Sequence, residues 1–307
     1  MEYEFIYLTQ KTTTRLMKNK KVDFLIIGAQ KAGTTSLFEY LKQHKDIQFS
    51  SSKENLYFSN QKFYEKGEPY LNSFFVKSDE KTLGSADVQL LPALKGPKRV
   101  NAYNPKMKII VILRNPTLRA YSAFNFAKQK AEEKTNKKFI TSYKEFVEKY
   151  DEKYTRDENA SFDYFYDGLY YKHLTNWMNY FPTNQIFITN TNDLKNNPQK
   201  IINDICDFLN LEVFEINNNI ESNKTGHYRF SKTQKLLFNR NSTIPKIIGY
   251  IVPQKTKNFI RNNFVKKLRQ YSFKESKIQP IEDSDEKIIQ EFFEEDQKCL
   301  VNLLKDK

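Results

Sequence analysis

The stretch Asp23-Phe-Leu-Ile-Ile-Gly-Ala-Gln-Lys-Ala-Gly-Thr-Thr-Ser-Leu-Phe-Glu-Tyr-Leu41 decides the fold of this 307-residue chain. Phe24 to Ile27 is a short, continuously apolar run, which is typical of a strand buried on both faces of a parallel sheet. From Ser36 to Leu41 the apolar residues recur at helical spacing. Gly28 and Gly33 allow the connecting backbone to approach an anion, and the following helix directs the positive end of its dipole at the same place. The stretch therefore predicts a strand, an anion-binding loop and a helix.

The loop differs from the P-loop of nucleotide-hydrolysing proteins at one position. That template has a glycine, four residues, a second glycine, a lysine and a serine or threonine. Gly28, Gly33 and Thr35 fit it, but Thr34 stands where the lysine belongs. The lysine of this loop is Lys31, on its crest, which favours a shorter anion than a triphosphate, with the reacting group just beyond the lysine. A tight turn without a ligand would explain the glycines but not a lysine beside three hydroxyl residues.

Residues 30–36, Gln-Lys-Ala-Gly-Thr-Thr-Ser, resemble the 5′-phosphosulfate loop of sulfotransferases that use phosphoadenosine phosphosulfate (PAPS). The resemblance covers most of the chain and is closest in motif to the heparan sulfate and glycan sulfotransferases. It implies a three-layer, P-loop-like α/β fold with a central, mostly parallel sheet flanked by helices. It also implies that the donor is bound by Lys31, Ala32, Gly33, Thr34, Thr35 and Ser36. Lys31 is in addition expected to be catalytic, because its charge neutralises the leaving oxygen.

Length and charge bear on the domain organisation and the partners. The chain is long enough to bury one large core. We expect an N-terminal extension at residues 1–21 and a single domain at 22–307, with C-terminal helices at 256–305 packed on it. The net charge of +13 suits an anionic ligand or partner but does not identify it.

Cysteine and histidine residues indicate neither a disulfide framework nor a metal site. Cys206 and Cys299 fall in predicted helices far apart in the sequence, so we expect two reduced core thiols. The three histidines form no cluster, and no metal is expected. Near the N-terminus a short apolar stretch at residues 5–8 stands beside acidic residues, which matches neither a signal peptide nor a membrane span. We therefore expect a soluble, cytoplasmic protein.

A lysine and a glutamate follow the second predicted strand, at the end where α/β proteins bind ligands. The segment reads Ser52-Lys-Glu-Asn-Leu-Tyr-Phe58, and sugar sulfotransferases carry a similar glutamate followed closely by two aromatic residues. The resemblance implies that Glu54 is the catalytic base, and Lys53 beside it would keep it ionised. Leu56 departs from the family, which often has histidine there. A solvated loop is the alternative interpretation of this pair.

Asp87 is a second candidate for the base. Its segment, Gly84-Ser-Ala-Asp-Val-Gln-Leu-Leu91, falls where relatives carry Gly-Glu, often a lysine, then Ser or Thr, Pro and an aromatic residue. Because Ser85, Ala86 and Val88 replace the acid, the lysine and the proline, the acceptor contacts of the family do not carry over to these positions. The sequence leaves open whether Glu54 or Asp87 takes the proton.

A second anion site is expected where the apolar run Met107–Leu113 ends at Arg114. Asn115 can cap a helix with Pro116 at its first position, and Ser122 then lies about two turns into that helix. An arginine at a strand end and a hydroxyl on the next helix can hold one phosphate from two sides. The string resembles the 3′-phosphate segment of the family, which implies that Arg114 and Ser122 bind the 3′-phosphate of the donor.

Two basic segments follow in the C-terminal third of the chain. The loop at 221–229 resembles a glycan sulfotransferase segment near the 3′-phosphate and adenine, which makes donor-binding candidates of Lys224, Thr225, Gly226 and Arg229. Residues 246–277 are strongly basic and carry an apolar stripe at helical spacing. We interpret them as an amphipathic helix packed on the core, with a basic rim for an acidic glycan or a membrane surface as the alternative.

The remaining segments are assigned to the core or to the surface. Trp177 and the apolar residues of the helix after Pro198 form stripes at helical spacing, which indicates core packing. Residues 128–160 alternate lysine and glutamate with scattered aromatics, which predicts exposed helices. Arg119 is interpreted as a surface or ion-pair residue. The last helix is expected to begin near Asp283 and to pack Ile288, Ile289, Phe292 and Leu300.

These features predict an enzyme that moves a sulfuryl group from PAPS to an acceptor hydroxyl or amine and releases adenosine bisphosphate, and the resemblance implies that the acceptor is a glycan. Two alternatives stay open. A P-loop kinase or nucleotide hydrolase is disfavoured by Thr34 and by the lack of a Walker-type aspartate after an apolar strand. A non-catalytic polyanion-binding protein is supported by the charge and the abundant aromatics, although nucleic acid is not the expected partner. The acceptor and the oligomeric state do not follow from the sequence.

Overall fold

The computed structural model describes residues 20–75, 81–129, 136–151, 153–218 and 279–305, and the backbone of 226–228 and 273–275. The expected extension lies outside these residues apart from its last two positions. Lys224, Thr225, Arg229 and most of the basic segment 246–277 also lie outside them, so their roles stay predictions.

The sheet strands are β1 (Phe24–Gly28), β2 (Ile47–Phe49), β3 (Thr82–Ala86), β4 (Lys108–Leu113) and β5 (Ile186–Asn190). They form a parallel sheet with the spatial order β2-β3-β1-β4-β5. After β1 the chain builds one side of the sheet, and it then crosses over β1 to build the other side with β4 and β5. The order of strands therefore reverses between β1 and β4. In α/β proteins the crevice outside the carboxyl ends of the strands at such a reversal is the usual ligand site.

The helices are α1 (Thr34–Leu41), α2 (Gln61–Tyr64), α3 (Glu68–Asn72), α4 (Gly96–Tyr103), α5 (Pro116–Gln129), α6 (Phe139–Val147), α7 (Tyr170–Met178), α8 (Thr191–Asn196), α9 (Pro198–Leu209) and α10 (Asp283–Lys305), with 3-10 turns at Tyr166–Gly168 and Thr183–Gln185. Two further strands, β6 (Gly226–Tyr228) and β7 (Phe273–Glu275), pair antiparallel. The predicted α/β fold around a parallel sheet is confirmed. No described helix is both long enough and apolar enough to cross a membrane.

Close packing fixes the centre of the sheet. Every residue of β1 is buried, as the continuously apolar run predicted. Phe24 pairs in register with Gly84 on β3, and a Cβ at Gly84 would collide with the Phe24 ring. Gly84, the first residue of the segment that departs from its relatives, is therefore required by the packing of β1. Trp177 and Ile205 are fully buried in the same core, which confirms the predicted core stripes.

A second hydrophobic cluster corrects the expectation of exposed helices at 128–160. It is formed by the buried residues Ala120, Phe124, Phe139, Phe146, Phe165, Tyr166, Leu169, Ile289 and Phe293. The two buried aromatic residues of α6, Phe139 and Phe146, stand seven positions apart and share one helix face, so Lys144 and Glu145 between them occupy the other faces. The charge pattern described only the outer faces.

Three further interpretations are corrected by burial. Ile288 on α10 is 45% exposed, whereas Phe293 is 1% exposed, because the buried stripe follows positions 289, 293 and 300. Cys299 is only partly buried, whereas Cys206 is buried; both are free thiols. Arg119 is fully buried rather than on the surface, and its Nη2 atom donates to the Tyr164 carbonyl.

Candidate functional site

The loop between β1 and α1 has the backbone of an anion-binding turn. Gly28 has φ 150° and Gly33 has φ 106°, and Lys31 between them is also left-handed with φ 66°. A Cβ at Gly28 would lie 2.8 Å from the Cβ of Leu91, so only glycine fits. Gly33 is the N-cap of α1, and the first turn of α1 carries no acidic residue. No carboxylate of the first turn of α1 therefore opposes the positive end of the helix dipole.

Arg114 joins the end of β4 to this loop. Its Nη1 atom donates a hydrogen bond to the carbonyl of Lys31 at 3.1 Å. The loop also runs alongside β4, because the Ala29 N–H donates a hydrogen bond to the Ile112 carbonyl at 2.6 Å. Burial lowers the pKa of Arg114 from its usual value, but an arginine remains a cation at neutral pH. The two predicted donor anchors thus meet at the strand-order reversal between β1 and β4.

Helix α5 has the start that the sequence predicted. It begins at Pro116, and the Asn115 Oδ1 atom accepts a hydrogen bond from the Leu118 N–H at 3.0 Å. Ser122 lies on this helix and is partly exposed. The strand that contains Gly226 lies against α5, so this donor-binding candidate is near the helix that carries Ser122. The position of the Gly226 strand is consistent with a shared 3′-phosphate site, whose residues stay predictions.

Glu54 is held in place beside the end of β3. Its Oε1 atom accepts from the Lys53 Nζ atom at 2.7 Å, and its Oε2 atom accepts from the Val88 N–H at 2.9 Å. The Glu54 side chain is 37% exposed, so a substrate group can reach the carboxylate. A fixed and accessible carboxylate at a strand end is the geometry that a general base needs.

Asp87 is enclosed instead. It is 4% exposed, its Oδ2 atom accepts from the Ser59 hydroxyl at 2.6 Å, and its Oδ1 atom accepts from the Gln89 N–H at 3.0 Å. Burial, together with the negative charge of Glu54, raises the pKa of Asp87 to about 7. Accessibility therefore favours Glu54 over Asp87 as the group that meets an acceptor.

Residues 156–161 form a strap that the sequence did not single out. The Ser161 carbonyl accepts hydrogen bonds from Gln30 Nε2 at 3.2 Å and from Gln89 Nε2 at 2.8 Å. Arg156 donates to the Gln89 side chain and, at 2.7 Å, to Asp167, whose side chain is 5% exposed. The strap thus ties the phosphate loop to the turn after β3. Gln30 and Gln89 are 131 and 72 residues away from Ser161 in the chain, so no local pattern could have indicated these contacts.

Thr191 is a further part of the site that the sequence did not single out. Its Oγ1 atom lies 2.6 Å from the Ala32 carbonyl and 3.0 Å from the Leu113 carbonyl. The hydroxyl can therefore fix the phosphate loop against the end of β4. The available signal was position alone, because Thr191 directly follows β5 at the same sheet edge.

The described residues contain no group of histidine, cysteine, aspartate and glutamate side chains that could hold a metal ion. The candidate site consists of the backbone amides of the phosphate loop, the side chains of Lys31 and Arg114, and the carboxylate of Glu54.

Comparison with known proteins identifies the family. Residues 21–293 match the family model of the sulfotransferase domain. The chain is 32% identical over 216 residues to the bifunctional heparan sulfate N-deacetylase/N-sulfotransferase 1 of Xenopus tropicalis, a match that covers 66% of this chain and 23% of that protein. The human heparan sulfate glucosamine 3-O-sulfotransferase 6 is 25% identical, with 61% of this chain and 52% of the relative covered. The chain therefore spans only part of these relatives.

Solved structures agree with this result. The sulfotransferase from Alicyclobacillus acidocaldarius superimposes with a TM-score of 0.56 and 25% identity, covering 66% of this chain and 87% of that one. A family match over most of the chain and a similar fold point to the same conclusion. This chain belongs to the sulfotransferase domain family, as its phosphate loop predicted.

Proposed function

We propose that this protein transfers a sulfuryl group from PAPS to a hydroxyl or amine on a carbohydrate. The observation that supports the proposal is the hydrogen bond between Arg114 and the carbonyl of Lys31, because it joins the end of β4 to the loop that carries the lysine expected to bind the donor. The family supports the reaction, and relatives named for heparan sulfate support a glycan acceptor.

The proposed step conserves atoms and charge. The bond between sulfur and the 5′-phosphate oxygen breaks, and the electron pair stays on adenosine 3′,5′-bisphosphate. A new bond forms between sulfur and the acceptor oxygen or nitrogen, whose proton passes to Glu54. Lys31 and the amides of the first turn of α1 stabilise the charge on the leaving oxygen.

The arrangement of Glu54 fits its role in this step. The Lys53 ammonium is paired with one oxygen of Glu54, and a carboxylate held in this way can accept a proton directly from an acceptor group. The Val88 N–H holds its second oxygen and thereby fixes the direction of the carboxylate. General-base assistance of this kind contributes roughly 10²–10⁴-fold to a rate.

Labelled PAPS and desulfated heparan sulfate test the proposal. We expect mass spectrometry to show sulfated product with the native protein and no requirement for a metal. Lys31→Ala should lower kcat by about 10²–10³-fold and Glu54→Gln by about 10²–10⁴-fold, with adenosine bisphosphate affinity largely retained. Lys106→Ala, which removes an exposed charge at the opposite end of β4, is the matched control.

The alternatives give different results in the same assays. Magnesium-dependent ATP turnover without sulfation would instead support a nucleotide kinase or hydrolase. A glycan affinity that falls steeply with salt but does not change on addition of adenosine bisphosphate would support a polyanion-binding protein without catalysis. A full transfer rate for Lys31→Ala at saturating PAPS would overturn the assignment of the loop.

A further inference from the structure

The side chain of Lys31 lies on an aromatic ring of α5. Its Nζ atom is 3.9 Å from the centroid of the Phe126 ring. Phe126 stands four residues after Ser122, so the two side chains lie on the same face of the helix. The Phe126 ring also meets Phe162 edge-on, at a centroid distance of 6.0 Å. Phe162 directly follows Ser161 of the strap, so the two rings connect the Lys31 ammonium to the strap.

This contact has the geometry of a cation–π interaction. An ammonium within about 6 Å of a ring centroid is attracted by the negative face of the ring, and the attraction grows when water is excluded. A lysine side chain has a flexible four-carbon stem and adopts many conformations in water. A ring that holds the ammonium at one place therefore reduces the number of Lys31 conformations in which the donor does not find the charge in position.

Lys31 is consequently fixed at both ends by the same unit of structure. Arg114, at the end of β4, binds its carbonyl, and Phe126, on the helix that follows β4, contacts its ammonium. The β4–α5 unit also carries Ser122, the predicted 3′-phosphate residue. The part of the protein that is expected to bind one end of the donor thus sets the position of the lysine at the other end.

We propose that Phe126 is a positioning residue for Lys31: its ring holds the ammonium in the donor crevice before the donor binds. The catalytic consequence rests on the proposed sulfuryl transfer, whereas the contact itself can be tested without donor or acceptor. The proposal assigns Phe126 no contact with the reacting atoms.

Nuclear magnetic resonance of the full-length protein with ¹³C-methylated lysines tests the contact directly. An ammonium above a ring centroid experiences an upfield ring-current shift, so we expect one dimethyl-lysine signal to be displaced upfield. The signal is assigned by its loss in Lys31→Arg. It should return to the ordinary position in Phe126→Leu and Phe126→Met, and it should stay upfield in Phe126→Tyr. If the dimethyl-Lys31 signal has the same chemical shift in the native protein and in Phe126→Leu, the proposal is overturned.

Kinetics test the consequence of the contact. We expect Phe126→Leu to lower kcat by about 3- to 10-fold and to leave the Kd of adenosine bisphosphate within about twofold, and Phe126→Tyr to restore the rate. Phe208→Leu is the matched control, because it removes another ring near a lysine, Lys108, whose Nζ atom lies 5.3 Å from that ring centroid. Equal loss of rate in Phe126→Leu and Phe126→Tyr would contradict a role for the aromatic face.

The two proposals fail in different ways. Absence of transfer from PAPS in the native protein removes the proposed function but leaves the lysine signal interpretable. Transfer that is unchanged in Phe126→Leu, together with an unshifted Lys31 signal, removes the role of Phe126 and leaves the proposed function intact.

Discussion

The guanidinium of Arg114 donates a 3.1 Å hydrogen bond to the backbone carbonyl of Lys31 and so joins the ends of β4 and β1. These strands flank the point where the order of the sheet reverses. The bond leaves other guanidinium N–H groups on the same side chain that can donate to an anion. Arg114 can therefore shape the loop and bind a phosphate at the same time. A lysine has three donors on a single nitrogen and lacks the planar fork that can bind a phosphate with two parallel hydrogen bonds.

Arg114→Lys should separate charge from geometry. We expect the Kd of adenosine bisphosphate to rise by roughly 10- to 100-fold, because hydrogen bonds of charged groups contribute about 1.5–3 kcal/mol. Isothermal titration calorimetry measures the change. Lys106→Ala, which lowers the net charge at an exposed position away from this crevice, should bind normally. An unchanged Kd in Arg114→Lys would mean that charge alone is needed at this position.

Gly33 should be required for adenosine bisphosphate binding and not only for the stability of the backbone turn. A side chain at φ 106° is strained, so Gly33→Ala should lose about 1–2 kcal/mol of unfolding free energy in urea. Gly67→Ala is the control, because its φ of 72° is also left-handed and a Cβ there would only touch Pro69 at 3.5 Å. We expect similar losses of stability, but weaker adenosine bisphosphate binding only in Gly33→Ala. Equal binding by both variants would contradict an anion site at the start of α1.

The parts of the site that sequence could predict are those made by neighbouring residues. The phosphate loop and the Asn115 cap are local, since strand, turn and helix follow one another within a few positions. Glu54 was found through its motif, but its orientation by Val88 depends on a loop 34 residues away in the chain. The strap from Arg156 to Ser161 depends on contacts with Gln30 that span 131 residues, so it could not be read from any local pattern.

Arg119 shows a different limit of pattern reading. It stands three residues after Pro116 and four before Ala123, so it falls on the buried face of α5. Its charge favours an exposed position, whereas its helical spacing from Pro116 and Ala123 favours the buried face of the helix. Its Nε and Nη1 atoms find no hydrogen-bond partner within the described parts of the chain. Helical position was the better guide here than residue type.

Thr191→Val should loosen the phosphate loop with little change in shape. The substitution removes the hydroxyl that lies 2.6 Å from the Ala32 carbonyl. We expect a loss of about 0.5–1.5 kcal/mol in unfolding free energy and a several-fold increase in the Kd of adenosine bisphosphate. Calorimetry and urea unfolding measure the two quantities.

Thr175→Val is the control for that substitution. The Thr175 hydroxyl also donates to a backbone carbonyl, that of Tyr171 at 2.8 Å, but within α7. It should lose similar stability and bind the nucleotide normally. A nucleotide affinity that is unchanged in Thr191→Val would show that the loop is held sufficiently by its other contacts.

Asp87 should make the stability of the protein depend on pH. Burial and the charge of Glu54 raise its pKa from 3.8 to about 7, while Ser59, Gln89 and Arg156 oppose the shift. Between these values the folded protein keeps a proton that the unfolded chain releases. The stabilisation is therefore fully present below about pH 4 and is lost as the pH rises through about 7.

Asp87→Asn should remove this dependence, because asparagine stays neutral and keeps the shape of the side chain. Relative to the native protein, its unfolding free energy should rise between about pH 5 and about pH 8, by roughly 1.4 kcal/mol for each pH unit up to about pH 7. Urea unfolding at both pH values measures the difference, and Asp207→Asn, which removes a carboxylate at an exposed position of α9, is the matched control. If the difference between Asp87→Asn and the native protein is constant over this range, the carboxyl of Asp87 is already ionised at low pH. In that case Glu54 would have a permanent negative neighbour, and the enclosure by Ser59 and Gln89 would serve to stabilise a charge rather than to keep a proton.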